Sequence, residues 1–259
     1  KNGKVISLKA VMKKALGANY IEVESLEINY DDPADTFKKE AREVAEILKF
    51  PKSFEYVLPF LIRLIKFIKH EYEQRNDSIY NAIEHTIQNL ITSIRFYKTY
   101  GKIHNLSMLD FFVSCVSSLF HDTGYFYDHF FDIKGHYLSS MHHVGHEMFS
   151  IQYARRVLYH YKEIIIPWFP GMNWDAFINS IGNVISATQL EKPAFNENKD
   201  IHLLRIIKAA DLLEMCSENY VDWLIPLFID NRIGAPEKKW PETIMALLKD
   251  TYWFMNDSN

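Results

Sequence analysis

SMLDFFVSCVSSLFHDTG, residues 107–124, is the stretch on which the fold turns. From Phe111 to Phe120 it carries no charge, and from Ser107 to Phe120 it is apolar nearly all round. A helix of that kind belongs at the centre of a bundle, because no face of it suits water. His121 and Asp122 follow at once, and then Gly124, a helix breaker. Neighbours inside a regular helix point about 100° apart and rarely share a ligand, but at a helix end both can converge. The plainer alternative is a histidine interacting with the helix dipole and an aspartate that opens the loop.

Two further residues extend the argument outward. His85 sits on an expected helix upstream, and Asp211 lies within IIKAADLL (206–213) on one downstream. Two neutral imidazoles and two carboxylates on buried helices are costly to desolvate unless something positive gathers them, and a divalent metal is the simplest such charge. His85 lies opposite the apolar stripe Ile79, Ile83, Ile87, Leu90, Ile91 and Ile94, on a face shared with Asn81, Gln88, Asn89 and Thr92. Solvated faces normally carry Lys and Glu, so an uncharged polar stripe suits the lining of a site. For Asp211, an ion pair with Lys208 or Lys192 is the structural alternative.

The densest histidine cluster is SSMHHVGHE (139–147). His142 and His146 are four apart, and His143 and His146 three apart, so two of the three can share one helical face. A solvated histidine-rich surface is the plain reading. A second metal position or a phosphate contact is the functional one.

The rest of the chain reads as helices. Asp35 to Phe50 ends at Pro51. Ser53 to Arg75 carries Pro59 near its first turns. A helix capped by Asp77 or Ser78 runs to Tyr100 and stops at Gly101. Thr123 to Ser140 is an aromatic-rich loop, Met141 to Tyr161 a helix, Ile166 to Asn173 a turn region, and Asp175 to Leu190 another helix. A polar loop from Glu191 to Asp200 leads into Ile201 to Asn219, with one or two helices beyond. Tyr20 to Tyr30 partly alternates, so a short strand or extended linker is an option there. The expected fold class is all-α, with residues 1–50 an N-terminal extension or linker and 51–259 the main domain.

Bulk properties narrow the function classes. The 259 residues are 48% apolar with nine Gly and nine Pro, enough for a sizeable core and against disorder. A net charge of −4 provides no electrostatic case for nucleic acid. Cys115 and Cys216 both fall in apolar runs and read as small buried hydrophobes, which points to a reducing, cytoplasmic setting without disulfides. No secretory signal opens the sequence. The apolar stretch Val57 to Ile68 is interrupted by Arg63 and Lys66 and is too short to span a bilayer. Lys1 in first place suggests a piece of a longer polypeptide.

The blocks YNAIEH (80–85), LFHDTG (119–124), HHVGHEMFS (142–150) and IKAADLLEM (207–215), with ISATQLEKP (185–193) between the last two, resemble the HD superfamily of metal-dependent phosphohydrolases. That family includes the cyclic-nucleotide phosphodiesterases and many bacterial nucleotidases. The resemblance spans about residues 75 to 220 and implies an HD-type helical bundle. It implies His85, His121, Asp122 and Asp211 as ligands of a first divalent metal (Fe, Mn, Zn or Co). Asp122 would bridge to a second ion, Mg among the candidates, with His146 and His142 or His143 nearby. The activity implied is hydrolysis of a phosphomonoester or phosphodiester, a nucleotide among the options, by water activated on the metal. Asp122, His146 and His142 would be the catalytic residues, the histidines contacting phosphate or protonating the leaving oxygen. Where the phosphodiesterases carry a general-acid histidine four residues before the first ligand, this chain has Asn81. Their second Asp-His pair corresponds to Gly124-Tyr125, and the lysine of many bacterial relatives also falls at Tyr125.

Two other readings stand beside this one. A degenerate sensory or scaffolding module would keep the bundle without turnover, and a di-iron oxygenase would keep the metals with different chemistry. The helix from Ser53 to Arg75, with Arg63, Lys66 and Lys69 among apolar residues, offers a homodimer face, although core packing is the simpler use. Tyr125, Phe126, Tyr127, Phe130 and Phe131 offer rings to a nucleobase, or equally to the core or a lid.

Overall fold

The computed structural model describes residues 32–75, 83–126, 146–189 and 201–213. These residues are helical, with no strand among them. In chain order the helices are α1 (Pro33–Leu48), α2 (Phe54–Arg75), α3 (Ile83–Ile103), α4 (Met108–Phe120), α5 (His146–His160), the single turn α6 (Lys162–Ile165), α7 (Trp174–Ser186) and α8 (Ile201–Leu213). Short 3-10 turns cover Thr123–Phe126 and Ile166–Trp168. The stretch from Tyr20 to Tyr30, and Cys216, lie outside the described residues.

α4 is the axis of the bundle. Every residue from Phe111 to Phe120 is buried, and α2, α3, α5, α7 and α8 all pack on it. Its start is fixed by a capping box. Ser107 Oγ accepts from the Asp110 amide at 3.2 Å, and Asp110 Oδ2 accepts from the Ser107 amide at 2.8 Å. Phe112 stacks on Phe177 of α7 with ring centroids 5.7 Å apart and also meets Phe169 and Phe60. Cys115 is a buried free thiol in this helix, and burial pushes its pKa up.

α1 belongs to the same core: Phe37, Ala41 and Val44 are fully buried among the residues of α2 to α4. Residues 33–48 therefore pack into the bundle. Asp32 caps α1 by accepting from the Ala34 amide at 3.2 Å, and Lys49 ends it in the left-handed region at φ 54°. The buried Glu40 carboxylate ties α1 to α3, accepting from Arg95 at 3.1 Å and from Lys98. A buried carboxylate without such partners would be strongly destabilising.

α3 does not stop at Gly101 but continues to Ile103. A Cβ at Gly101 would lie 3.0 Å from the Tyr97 ring and 3.1 Å from Leu48, so the glycine permits close packing of α3 on α1 instead of ending the helix. Asn105, at φ 51°, takes the left-handed position after the helix. α2 turns Val57, Leu61, Ile65 and Ile68 into the core. Among the described residues no helix is long and apolar enough to cross a membrane.

Candidate metal centre

Three helix ends and one helix face bring the site together. His85 is the third residue of α3, and Asp211 lies in α8. His121 follows the last residue of α4 with helical backbone angles (φ −56°, ψ −36°). Asp122 comes next and leads into the Thr123–Phe126 turn. His146 opens α5.

The end of α4 is held by side chains that satisfy its last carbonyls. Thr123 Oγ1 donates to the Phe120 carbonyl at 2.8 Å, and Ser150 Oγ of α5 donates to the His121 carbonyl at 2.6 Å. The same Ser150 oxygen accepts from the Gly124 amide at 2.7 Å. One hydroxyl thus joins α5 to the turn that carries His121 and Asp122. In the chain, Ser150 reads only as a polar residue beside the apolar stripe of α5. Its role needs the fold.

At the centre, Nε2 of His85 and Nε2 of His121 lie 3.2 Å apart. Asp122 Oδ2 is 3.4 Å from the first and 3.3 Å from the second. Asp211 Oδ1 is 3.2 Å from the first and 3.4 Å from the second. One ligand atom each from His85, His121 and Asp211 lies within 4.8 Å of the others, so this group could hold a metal ion. His121 and His85 are almost fully buried, and Asp122 nearly so.

Tautomers sharpen this picture. His121 Nδ1 lies 2.8 Å from the Ser118 carbonyl, which can only accept, so Nδ1 carries a proton. In a neutral ring the Nε2 lone pair then faces two carboxylate oxygens and a second imidazole nitrogen. Four electron-rich atoms at this spacing require positive charge between them, from protons or from a cation. Two imidazole nitrogens with carboxylate oxygens suit Fe, Mn, Zn or Co, and a backbone carbonyl that fixes the second ring nitrogen is the usual support of a ligand histidine.

The titration of the group reflects the same crowding. Burial opposes the His121 imidazolium, but Asp122 and Asp211 outweigh it and raise its pKa. Burial also opposes the Asp211 carboxylate, yet His121 and His85 bring its pKa down to about 2. Asp122 is held well below its usual range, against its burial, by His121, His146 and His85.

His146 reaches the centre from the other side, with Nε2 3.3 Å from Asp122 Oδ1. Its Nδ1 is 3.6 Å from Glu147 Oε1, and its ring stacks on Tyr125 with centroids 4.3 Å apart. Burial opposes its imidazolium, but Asp122 and Glu147 together outweigh that and raise its pKa. Tyr125 is therefore packed on a histidine here, while Phe126 packs edge-on against Tyr72 and Tyr153. Lys208 points to the Gln189 carbonyl at 3.3 Å.

The structure thus brings together His85, His121, Asp122, His146 and Asp211. His142, His143, Asn81, Lys192, Tyr127, Phe130 and Phe131 lie outside the described residues. Buried polar residues that sequence reasoning passed over include Thr86 and Ser93 on α3 and Ser118 on α4. The uncharged stripe of α3 was the available signal. No protein-family model, no curated protein and no solved structure matches this chain.

Proposed function

We propose that this chain is a metal-dependent phosphohydrolase of the HD type, with His85, His121, Asp122 and Asp211 as ligands of a divalent cation. The observation that carries the reading is the meeting of two Nε2 atoms 3.2 Å apart with a carboxylate oxygen of Asp122 and one of Asp211 beside both. The bound cation would act as a Lewis acid toward a phosphoryl oxygen and acidify water. Asp122 offers Oδ2 to the ligand cluster and Oδ1 to His146. His146, with its raised pKa, holds a proton at Nε2 that it can present to a phosphate oxygen or a leaving group. Glu147 and the Tyr125 ring keep that imidazole in its orientation. The resemblance in the four sequence blocks supports a phosphoester, with a nucleotide among the substrates to try. Metal analysis of purified protein, followed by a panel of phosphomonoesters and phosphodiesters, tests the reading. Protein with no bound divalent metal, and none taken up on titration, would exclude it.

A second reading, a ligand-sensing module without turnover, draws support from Tyr125. Its ring covers His146 at the position where many bacterial relatives carry a lysine. Bound metal with no turnover across the panel separates this reading from the first.

Protons and a cation compete for the same atoms, so pH should act in opposite directions with and without metal. A raised His121 pKa contributes stability that is present in full below the ordinary value of about 6.5 and is lost as pH climbs through the raised value. Asp211, held at about 2, contributes stability present above the ordinary carboxylate range and lost as pH falls toward that value. Metal-free protein is therefore expected to melt at lower temperature at about pH 8 than at about pH 6. With Mn(II) or Zn(II) in excess the order reverses, because the ligands must shed protons to bind. Thermal melts across this range, with chelator and with metal, check it; parallel slopes in the two series would contradict the site.

A further inference from the structure

We infer that Asn89 is a positioning residue, holding the Asp211 carboxylate toward the imidazole pair through a buried polar chain that ends beside His121. This rests on the metal reading above and adds to it the residues that set the ligand geometry. Asn89 is fully buried and lies four residues after His85, so one face of α3 supplies both a ligand and its neighbour's support. Its Nδ2 donates to Asp211 Oδ1 at 3.4 Å, the same oxygen that approaches both Nε2 atoms.

The chain continues away from the site in one direction. Ser93 Oγ donates to Asn89 Oδ1 at 3.5 Å, and Ser118 Oγ donates to Ser93 Oγ at 3.0 Å. The backbone carbonyl of that same Ser118 accepts from His121 Nδ1 at 2.8 Å. A carboxylate can only accept, so the amide nitrogen of Asn89 must face Asp211, and its oxygen then takes the Ser93 proton. Asn89, Ser93, Ser118 and His121 are all buried, Asp211 is partly so, and each donor and acceptor is used in a consistent sense. Asp211 and His121, ligands from different helices, are thereby fastened to a single network linking α3, α4 and α8. A water-exposed asparagine would impose no such orientation. Here the competing solvent is excluded.

The test compares wild type with Asn89→Ala, Asn89→Asp and Ser93→Ala, each as the full chain stripped with chelator. The proteins are titrated with Mn(II) and then Zn(II), and the melting temperature of each metal-free protein is recorded. Asn89→Ala is expected to weaken metal affinity about 10- to 100-fold, the range found for outer partners of ligand residues. Ser93→Ala should weaken it by about two- to tenfold, since it removes one neutral hydrogen bond behind the amide. Asn89→Asp should do the opposite for binding. It sets a second carboxylate against Asp211, lowering the metal-free melting temperature while tightening the metal. A purely structural Asn89 predicts lower melting temperatures with unchanged metal affinity in all three variants, and that result would overturn the inference while leaving the metal site intact. Wild type that binds neither metal overturns both together. Should Asn89→Ala fail to fold, Ser93→Ala decides by the same criterion.

Discussion

Asp122→Ala protein is expected to emerge from purification without metal and without phosphoester turnover. Asp122 meets three histidines: Oδ2 faces His85 and His121, and Oδ1 faces His146. Its removal takes a charged ligand from the cluster and leaves buried imidazoles without the carboxylate that stabilises their positive form. The expected loss in metal affinity is above about 100-fold, exceeding the effect of outer partners. His121→Ala should match it, because the ring is fully buried and its Nε2 sits at the meeting point of both carboxylates. Elemental analysis and the phosphoester panel measure the two losses in one preparation. Unchanged metal content in either variant would defeat the proposed site, whereas metal retained by wild type with turnover absent in all proteins would favour the sensing module.

Gly124→Ala should disrupt the site by a different route. A Cβ on Gly124 would lie 2.0 Å from the His146 carbonyl oxygen and 2.9 Å from Ser150 Oγ. Backbone cannot yield as a side-chain tip can, so α5 or the turn after Asp122 must move. Overpacking of this kind costs about 1–3 kcal/mol and occasionally more, and a backbone neighbour places this case at the upper end. For a chain of this size that is a fall in melting temperature of roughly 6–12 °C. One of these elements carries His146 and the other follows directly on Asp122, so the His146–Asp122 contact should be lost whichever moves. Melting curves and metal titration check both parts. A variant with wild-type stability and affinity would mean that α5 does not approach the turn this closely.

Much of the architecture could be read from residue order. The uncharged run Phe111 to Phe120 marked a central helix, and α4 is buried along that run and packed by five neighbours. The pairing of His121 with Asp122 at a helix end was legible because Gly124 follows closely. Helix termini were harder. Gly101 resembled a stop, but its missing side chain serves contact with Tyr97 and Leu48, a demand made by α1 from elsewhere in the chain. The helix expected from Asp35 to Phe50 could be read from its own pattern, but not what it packs on, since the core that receives Phe37 and Val44 is assembled from α2 to α4.

Local pattern alone determined that this protein is helical and which helix lies innermost, since periodicity and absence of charge are properties of consecutive residues. It also marked four residues, two histidines and two aspartates, whose burial requires a compensating charge. Tertiary structure decided which atoms meet. Asn89 reaches Asp211 across 122 positions, and the Ser118 carbonyl selects the nitrogen that His121 turns toward the site. Those choices depend on how α3, α4 and α8 cross, and hydrogen bonds between distant helices leave no periodic trace in the chain.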